Sequence, residues 1–317
     1  MGEKATLVLE VSNLSKSYGD RCAVDGISFD IRAGEIFGLL GPNGAGKTTT
    51  IGVIATILRP SGGAVRVDGQ SATGELGAVR KKVGLVPQQI CLYPSLTSEE
   101  NLRFFGQMYG LSDEALGARV ESMLELVGLS RRRHDRVATF SGGMQRRLNL
   151  ACGLIHEPEL LLLDEPTVGL DPQSRERIFS AVEELAARGM AVLYTTHYME
   201  EAERLCHRVA IMDEGRFVAE GTTRELSAKV GAGRTVAITF EKAPGPELRA
   251  RLVREGSRPS RQAGLYQFRL AGHSVEELIP ELMILASAEQ NPIKELVVHQ
   301  PNLGEVFLHL TGKELRD

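Results

Sequence analysis

The sequence feature that most constrains this chain is a glycine-rich stretch from Gly41 to Thr48, which fits the pattern G-x-x-x-x-G-K-[ST]. Its glycines let the backbone curl until successive N–H groups converge on a phosphate, while Lys47 adds positive charge and the Thr48 hydroxyl can bind Mg²⁺. The flanking residues suit this interpretation, because Glu35 to Leu40 reads as a buried strand and Thr48 to Leu58 as a helix whose positive N-terminus faces the loop. The sequence therefore predicts a phosphate-binding loop. The residues of this stretch expected to line the phosphate site are Gly41, Asn43, Gly44, Gly46, Lys47, Thr48 and Thr49.

The composition is that of an ordinary globular protein and argues against several classes of function. A length of 317 residues suggests about two domains, and 42% hydrophobic with 25% charged residues allows a sizeable core. The net charge of -4 provides no overall field for attracting nucleic acid, so no nucleic-acid partner is expected. No run of 18 apolar residues is present, so a function at a membrane needs another chain to span it. The cysteines lie far apart in the sequence and form no C-x-x-C pair, which argues against a disulfide framework and against a metal site. They are Cys22, Cys91, Cys152 and Cys206.

Two acidic residues end a second apolar run. Leu160 to Leu163 is typical of a central strand, and Asp164 and Glu165 follow it directly. In a doubly wound α/β fold, such a strand delivers its carboxylates to the sheet edge where ligands bind. One carboxylate can hold Mg²⁺ and the other can orient an attacking water, whereas the alternative is a merely solvated strand end. His197 follows the next predicted strand, Met190 to Thr195, and is either a surface residue or a third polar group at this edge.

Three further positions carry weaker signals. Tyr18 lies in a polar stretch and is either a half-buried packing residue or a flat platform on which a base stacks. Gln88 follows the predicted strand Val83 to Val86, a position where glutamine usually only contacts solvent. Ser141-Gly142-Gly143 precedes a helical pattern, so its free N–H groups could bind an anion at a second phosphate site. Each of these signals leaves its alternatives open when taken alone.

Taken together, these positions closely resemble the ATP-binding subunit of an ABC transporter over residues 5 to 225. The resemblance favours the base-stacking interpretation of Tyr18 and implies an α/β P-loop NTPase fold of the ABC type with a helical insertion. The matching segments occur in the order of the family: the stacking aromatic Tyr18, the Walker A loop Gly41 to Thr48, the Q-loop residue Gln88, the signature Ser141-Gly142-Gly143, the Walker B strand Leu160 to Glu165, the D-loop Gly169-Leu170-Asp171 and the switch histidine His197.

The signature departs from the commonest family form, L-S-G-G-Q, because Phe140 replaces leucine and Met144 replaces glutamine. The anion-binding S-G-G is intact. Within the family, the stretch S-G-G-M-x-R-R, the segment Leu92 to Thr97 and the segment Pro301 to Leu308 resemble the branch that exports drugs and antibiotics.

The resemblance implies a mechanism that needs two copies of the chain, with ATP and Mg²⁺ as cofactors. Each ATP would lie between the Walker A loop of one copy and the signature of the other, in a head-to-tail homodimer. The resemblance further implies a separate membrane permease subunit as partner and a peripheral position on the cytoplasmic face of the cell membrane. The exported substrate would bind in the permease.

The resemblance also implies a role for each polar group. Glu165 would be the general base, and His197 would contact the γ-phosphate. Gln88 would touch Mg²⁺ or the attacking water while sensing the partner. Thr48 and Asp164 would hold the Mg²⁺ ion.

The chain is predicted to form two domains, an ATP-binding domain over residues 1–230 with a helical subdomain at about 95–157, and a small α+β domain over residues 231–317. Gly231-Ala232-Gly233 reads as the linker between them. In the second domain a helix is expected over Val275 to Ala288 despite Pro280, and Leu296 to Val298 predicts a strand. A ferredoxin-like arrangement fits, although the residues from 254 to 263 show no clear strand. Two further strands are predicted from the alternating apolar residues Val236, Ile238 and Phe240, and Tyr266, Phe268 and Leu270.

Several alternatives stay open. A soluble ABC-type mechanochemical ATPase acting on ribosomes or DNA is the main rival function, against which stand the single nucleotide cassette and the absence of a long coiled-coil insertion. A regulator without turnover conflicts with the presence of both Glu165 and His197. The second domain is a packing or dimer-supporting appendage, a regulatory unit or a permease-docking unit. The basic run Arg131 to Arg136 is either a solvated loop or a contact for lipid or a partner.

Overall fold

The structure is a computed structural model that describes residues 6–74, 76–229, 235–254, 258–262, 265–271, 275–299 and 302–311. The chain divides into two compact units, and the boundary falls between Thr222 and Thr223. It precedes the predicted boundary at residue 230 because Thr223–Lys229 forms a helix that packs on the helix Leu303–Thr311 of the second unit. The predicted linker Gly231-Ala232-Gly233 lies outside the described residues.

The first unit is an α/β structure with two sheets. In chain order its elements are β1 Leu7–Tyr18, β2 Arg21–Arg32, β3 Ile36–Leu40, α1 Lys47–Ile54, β4 Gly62–Val67, β5 Gln70–Ser71, α2 Leu76–Lys82, β6 Val83–Val86, α3 Ser98–Met108, α4 Asp113–Leu126, α5 Gly142–Leu154, β7 Leu160–Asp164, α6 Pro172–Ala187, β8 Ala191–Thr196, α7 Met199–Leu205, β9 Arg208–Asp213 and β10 Arg216–Gly221.

The larger sheet has the strand order β10-β9-β3-β8-β7-β6 and is parallel except for β10. Every residue of β3, β7 and β8 is buried, as expected for strands covered on both faces. Parallel strands end at one edge, so the sheet brings together the segments that begin at Gly41, Glu165 and His197, with Gln88 close after the end of β6. This is the edge at which open α/β sheets bind ligands.

The smaller sheet is antiparallel, with the order β2-β1-β4-β5. Strands β1 and β2 form a hairpin in which Tyr18 pairs with Arg21. Its inner face packs on the parallel sheet, and the rings of Phe29 and Phe37 stack with centroids 5.1 Å apart. The hairpin thereby presents Tyr18 and Arg21 to a cavity of the first unit.

Three helices, α3 to α5, lie between strands β6 and β7 and form the predicted helical insertion. Helix α3 begins with a capping box in which Thr97 and Glu100 each accept a hydrogen bond from the other's backbone N–H. Part of the basic run is tied to this region, since the Arg133 guanidinium donates to both carboxylate oxygens of Glu99 at 2.6 and 2.7 Å. Arg133 therefore has a structural partner within the insertion.

Helix α1 is shorter than predicted. The pattern extended to Leu58, whereas the helix ends at Ile54. The helix ends because Thr56 adopts a left-handed backbone conformation with φ of 60°, which stops helical hydrogen bonding. Arg80 holds this turn by donating from Nε to the Thr56 hydroxyl at 2.8 Å and from Nη2 to its carbonyl.

The second unit has the element order of a ferredoxin-like fold. Its central β-α-β-β-α-β run forms one antiparallel sheet with the order β12-β13-β11-β14. The elements are α8 Thr223–Lys229, β11 Thr235–Phe240, α9 Pro246–Arg254, β12 Arg258–Gln262, β13 Leu265–Ala271, α10 Val275–Ala288, β14 Ile293–His299 and α11 Leu303–Thr311.

Strand β12 corrects the sequence analysis, which saw no strand between residues 254 and 263. Its sequence, RPSRQ, is polar and contains Pro259, so the apolar pattern of a strand is missing. It forms because it pairs with β13 at the edge of the sheet, where a proline is tolerated. The other predicted strands and the helix through Pro280 are confirmed.

Candidate active site

A cavity of about 460 Å³ lies at the carboxyl edge of the parallel sheet and gathers most of the predicted site. No residue of the predicted signature, Ser141 to Gly143, lines this cavity. The side chains and backbone that line it are Tyr18, Arg21, Ala23, Asn43, Gly44, Gly46, Lys47, Thr48, Thr49, Gln88 and Glu165.

The glycine-rich loop is shaped by close backbone packing. Gly46 has φ of 111° and caps the N-terminus of α1, and a Cβ at this position would lie 2.5 Å from the Ala23 carbonyl oxygen. Only glycine fits both conditions. The loop therefore delivers Lys47 and Thr48 to the cavity at the first turn of helix α1, where N–H groups point toward an anion.

Lys47 is a buried cation with three oxygen neighbours. Its Nζ donates to the carbonyl oxygens of Gly41 at 2.7 Å and Pro42 at 3.1 Å, and it lies 3.1 Å from Glu165 Oε1. Burying a charge is costly without such partners, and here the ammonium and carboxylate charges offset each other. The loop lysine and the predicted base are thus in direct contact.

Glu165 sits in a strained backbone conformation, with φ of 46°. Its N–H donates to both the carbonyl oxygen and the hydroxyl of Thr195, at 3.2 and 3.1 Å, which holds the turn after β7. The carboxylate is reached from two further directions. Gln88 Nε2 donates to Oε2 at 3.2 Å, and His197 Nδ1 lies 3.3 Å from Oε1. Lys47, Gln88 and His197, predicted from separate signals, therefore converge on one carboxylate.

Asp164 is a second buried acid, beside Thr48. Its Oδ1 accepts hydrogen bonds from the Thr195 hydroxyl at 2.8 Å and the Thr48 hydroxyl at 3.3 Å. Burial raises the pKa of Asp164 above its usual value, and these two hydroxyls offset only part of that effect. The site thus contains a carboxylate for which a bound cation would be favourable.

Tyr18 also lines the cavity, with 48% of its surface exposed. The Lys16 ammonium is 5.0 Å from the ring centroid. Exposure at a cavity rim suits a stacking platform better than a packing residue. Arg21 lies beside it, and no acidic residue in the described part of the chain forms an ion pair with Arg21.

The signature forms the N-terminus of α5, away from the cavity lining. The Ser141 hydroxyl accepts a hydrogen bond from the Met144 N–H at 3.3 Å, so Ser141 is the N-cap of the helix. Ser141 and Gly142 are exposed, whereas Gly143 is buried against α6. The predicted signature therefore presents an exposed helix start, and the chain by itself does not bring it to the Walker A loop.

Comparison with known proteins decides the family. The model of the family described as ABC transporter matches residues 24–168. The chain is 43% identical over 315 residues to the linearmycin resistance ATP-binding protein LnrL of Bacillus subtilis (strain 168), with 98% of this chain and 100% of that protein covered. The chain belongs to the ABC transporter family. It is also 40% identical to the Nod factor export ATP-binding protein I of Paraburkholderia xenovorans (strain LB400), with 98% of each chain covered.

Solved structures agree with this assignment. An ATP-binding subunit of an ABC transporter is 34% identical, with a TM-score of 0.65, and the match covers 71% of this chain and 93% of that one. A dimeric post-hydrolysis ATP-binding cassette bound to ADP and Pi is 28% identical, with a TM-score of 0.62, covering 68% and 98%. This ABC transporter subunit is therefore an ATP-binding and ATP-hydrolysing protein of the exporter branch.

Sequence reasoning missed two polar residues at the site of this ABC transporter subunit, Arg21 and Thr195. Arg21 lines the cavity because the hairpin pairs it with Tyr18, and the Gly19-Asp20 turn between the two strands was the signal that could have found it. Thr195 supports both acids through its hydroxyl and carbonyl. Its signal was the hydroxyl pair Thr195-Thr196 directly before His197.

Proposed function

We propose that this ATPase powers export of a drug, antibiotic, lipid or similar molecule through a separate permease subunit, using the cavity residues in the roles given below. The observation that carries the proposal is the convergence of Lys47, Gln88 and His197 on Glu165 at the end of the cavity that also contains the Walker A loop. The named activities of two relatives, linearmycin resistance and Nod factor export, support the substrate class.

The oxygen donors beside the Walker A loop suit Mg²⁺. Thr48 and Asp164 provide oxygen ligands, and their hydroxyl and carboxylate oxygens already lie 3.3 Å apart. No cluster of three His, Cys, Asp or Glu residues that could hold a metal occurs in the described ranges. That fits an ion that takes most of its ligands from phosphate and water. Thr48, Asp164 and Gln88 would hold Mg²⁺, which when bound neutralises charge on the phosphates.

Each of the chain's own residues at the site would have a separate role in hydrolysis. Glu165 would accept the proton of the attacking water, and Gln88 would orient that water from the opposite side. When ATP binds, Lys47 would move from Glu165 to the phosphates. The Glu165 carboxylate would then be free to act as a base. His197 would contact the γ-phosphate, and Tyr18 would stack on the base.

A head-to-tail dimer would complete each site. Ser141, Gly142 and Gly143 lie outside the cavity of their own chain, and Ser141 and Gly142 are exposed at a helix N-terminus. Such a helix start binds an anion from another molecule readily. A relative of known structure is a dimeric cassette bound to ADP and Pi, which supports this arrangement.

The permease would be a separate membrane chain, with this subunit on the cytoplasmic face. Among the described residues, no helix has both the length and the apolar character needed to cross a bilayer. The segment after Gln88 carries two exposed apolar side chains, Ile90 and Tyr93, at 37% and 46% exposure. A permease contact there would reach Gln88 directly, which supports its role as a sensor.

Replacing Glu165 by Gln tests the proposal. The variant should bind ATP, lose turnover at least about a hundredfold, and accumulate as an ATP-bound dimer, because the base is removed while the phosphate cradle remains. Turnover and molar mass by light scattering would be measured with and without ATP, with the exposed Glu183→Gln as control. Normal turnover, or only monomer at saturating ATP, would contradict the proposed roles. Co-purification of this chain with a permease from detergent-solubilised membranes would separate export from the soluble mechanochemical alternative.

A further inference from the structure

A buried carboxylate outside the cavity is linked to both sides of the switch histidine. Glu201 lies in the first turn of α7 and is only 3% exposed. Three hydroxyls donate to it: Thr167 Oγ1 at 2.8 and 2.9 Å to its two oxygens, Tyr194 OH at 3.0 Å and Thr196 Oγ1 at 2.9 Å. A buried carboxylate needs such partners, and hydrogen bonds to a carboxylate are strong. Several donors therefore hold the Glu201 side chain and the residues bonded to it in one arrangement.

The hydroxyl of Thr196 connects this carboxylate to the backbone around His197. Thr196 Oγ1 donates to Glu201 and accepts the N–H of Tyr198 at 2.9 Å, so the residues before and after His197 are both fixed. The ring of Tyr198 packs on the His197 ring, with centroids 4.1 Å apart. Arg175 lies 5.8 Å from the Tyr198 ring centroid, and its Nε is 3.6 Å from Glu201 Oε1.

The same carboxylate is tied to the segment that follows the catalytic glutamate. Thr167 comes two residues after Glu165, whose backbone is strained, and its hydroxyl donates only into the Glu201 cluster. Arg175 belongs to helix α6, which begins after the D-loop residue Asp171. Glu201 thus joins three segments: the turn after β7, the start of α6 and the loop that carries His197.

We infer that Glu201 is a positioning residue for ATP hydrolysis, which holds His197 against Glu165 by fixing Thr196 and Thr167 around one carboxylate. The inference rests on the proposed roles of Glu165 and His197. Glu201 does not line the ATP cavity, so its loss should lower kcat about tenfold or more while the KM for ATP changes less than about threefold.

The primary variant is Glu201→Gln, which keeps the shape of the side chain but replaces one acceptor oxygen by a donor. Its matched control is Glu200→Gln, the same substitution at the exposed neighbouring residue of the same turn. A second pair tests the link from the other side: Thr196→Val removes the hydroxyl at nearly constant volume, and Thr196→Ser retains it. ATPase kinetics, ATP affinity and melting temperature would be measured for all four in the full chain.

The inference predicts low kcat with nearly unchanged KM in Glu201→Gln and Thr196→Val, and near-normal values in Glu200→Gln and Thr196→Ser. In a His197→Ala background, Glu201→Gln should add little further loss, because the two residues act through one contact. If Glu201→Gln does not fold, the comparison of Thr196→Val with Thr196→Ser tests the inference. Normal kcat in Thr196→Val, equal loss in Thr196→Ser, or an effect on ATP affinity alone would overturn the inference.

The design also separates this inference from the proposed function. Loss of turnover in His197→Ala together with normal turnover in Glu201→Gln and Thr196→Val would overturn the positioning role alone. Normal turnover in His197→Ala or Glu165→Gln would overturn the proposed function and the inference with it. Full multiplicative losses in the double variant would show that Glu201 does not act through His197.

Discussion

At the scale of single residues, Tyr18 and Arg21 both line the candidate nucleotide cavity, which Lys47 and Glu165 also line. The tyrosine side chain is about half exposed, and Arg21 is its partner on the paired strand. An aromatic ring stacks on any base with similar strength before and during the reaction. The contribution of Tyr18 should therefore appear in binding more than in chemistry.

Replacing Tyr18 by Ala should raise the KM for ATP about tenfold and lower kcat much less, because base stacking contributes roughly 1–3 kcal/mol. Tyr18→Phe should behave almost as wild type, since it keeps the ring, and GTP should be tolerated as a substrate. Steady-state kinetics with both nucleotides measures these values. Equal ATP affinity in wild type and Tyr18→Ala would show that the ring only packs.

At the scale of elements, the start of helix α5 is fixed by its contact with the start of α6. A Cβ at Gly143 would lie 2.1 Å from Ser174 Oγ. Ser174 cannot easily move away, because its N–H and hydroxyl donate to Asp171 at 2.9 and 2.7 Å. The signature and the D-loop therefore form one packed unit.

Gly143→Ala should displace the signature while leaving the cavity of the same chain intact. We expect ATP affinity of the monomer within about threefold of wild type, but turnover reduced at least tenfold because the site of the partner is incomplete. Gly117→Ala, where a Cβ would meet no atom within 4 Å, is the matched control. Unchanged turnover in Gly143→Ala would contradict the composite site.

Glu99 connects helix α3 to the basic run and predicts a pH dependence. Hydrogen bonds from Arg133, with further help from Arg103, lower the pKa of Glu99 from 4.5 to about 2. Because the folded-state pKa is depressed, the stabilisation is fully present above pH 4.5 and is lost as the pH falls toward 2.

Glu99→Gln should accordingly lower the free energy of unfolding by about 2 kcal/mol at pH 7, and by less at pH 3. Urea unfolding at pH 7, 4 and 3 measures the difference from wild type. Glu125→Gln, at an exposed position of helix α4, should show a much smaller difference throughout. A difference that stays constant down to pH 3 would show that the ion pair does not stabilise the insertion.

At the scale of the whole molecule, the second unit has its own core. Val236, Ile238, Phe240 and Phe268 are fully buried among residues of α9 and α10. These strand faces are therefore covered by residues of the same unit. Exposed apolar side chains of this unit lie instead on the helices and on strand β14, and include Met283, Ile284, Val297 and Leu308.

Ending the chain after Thr222 should therefore leave ATP affinity within about twofold of wild type, because every cavity residue precedes that point. The cut avoids residue 231, since helix α8 packs with α11 in the second unit. ATP binding, ATP-dependent dimer lifetime and retention on permease-containing membranes should be measured. We expect shorter dimer lifetime or weaker retention, and loss of ATP affinity in a folded truncation would contradict the separation of the two units.

The elements that could be predicted were those whose cause is local. The pattern of β7 with its two acids and the glycine-rich loop each depend on a few neighbouring residues. Strand β12 could not be predicted, because its pairing with β13 rather than its composition makes it a strand. Helix α1 was predicted too long, because the turn at Thr56 depends on Arg80.

The sequence by itself determined the family and nearly all of the candidate site residues, because motifs that bind phosphate require fixed residue types at short spacing. The tertiary structure decided which of them meet. It placed Glu165 against Lys47, Gln88 and His197, and it brought the hydroxyl of Thr167, from the segment after β7, to Glu201 beside the two hydroxyls of β8, those of Tyr194 and Thr196. The physical reason is that such contacts join residues far apart in the chain, and strand order, register and packing bring them together only after folding.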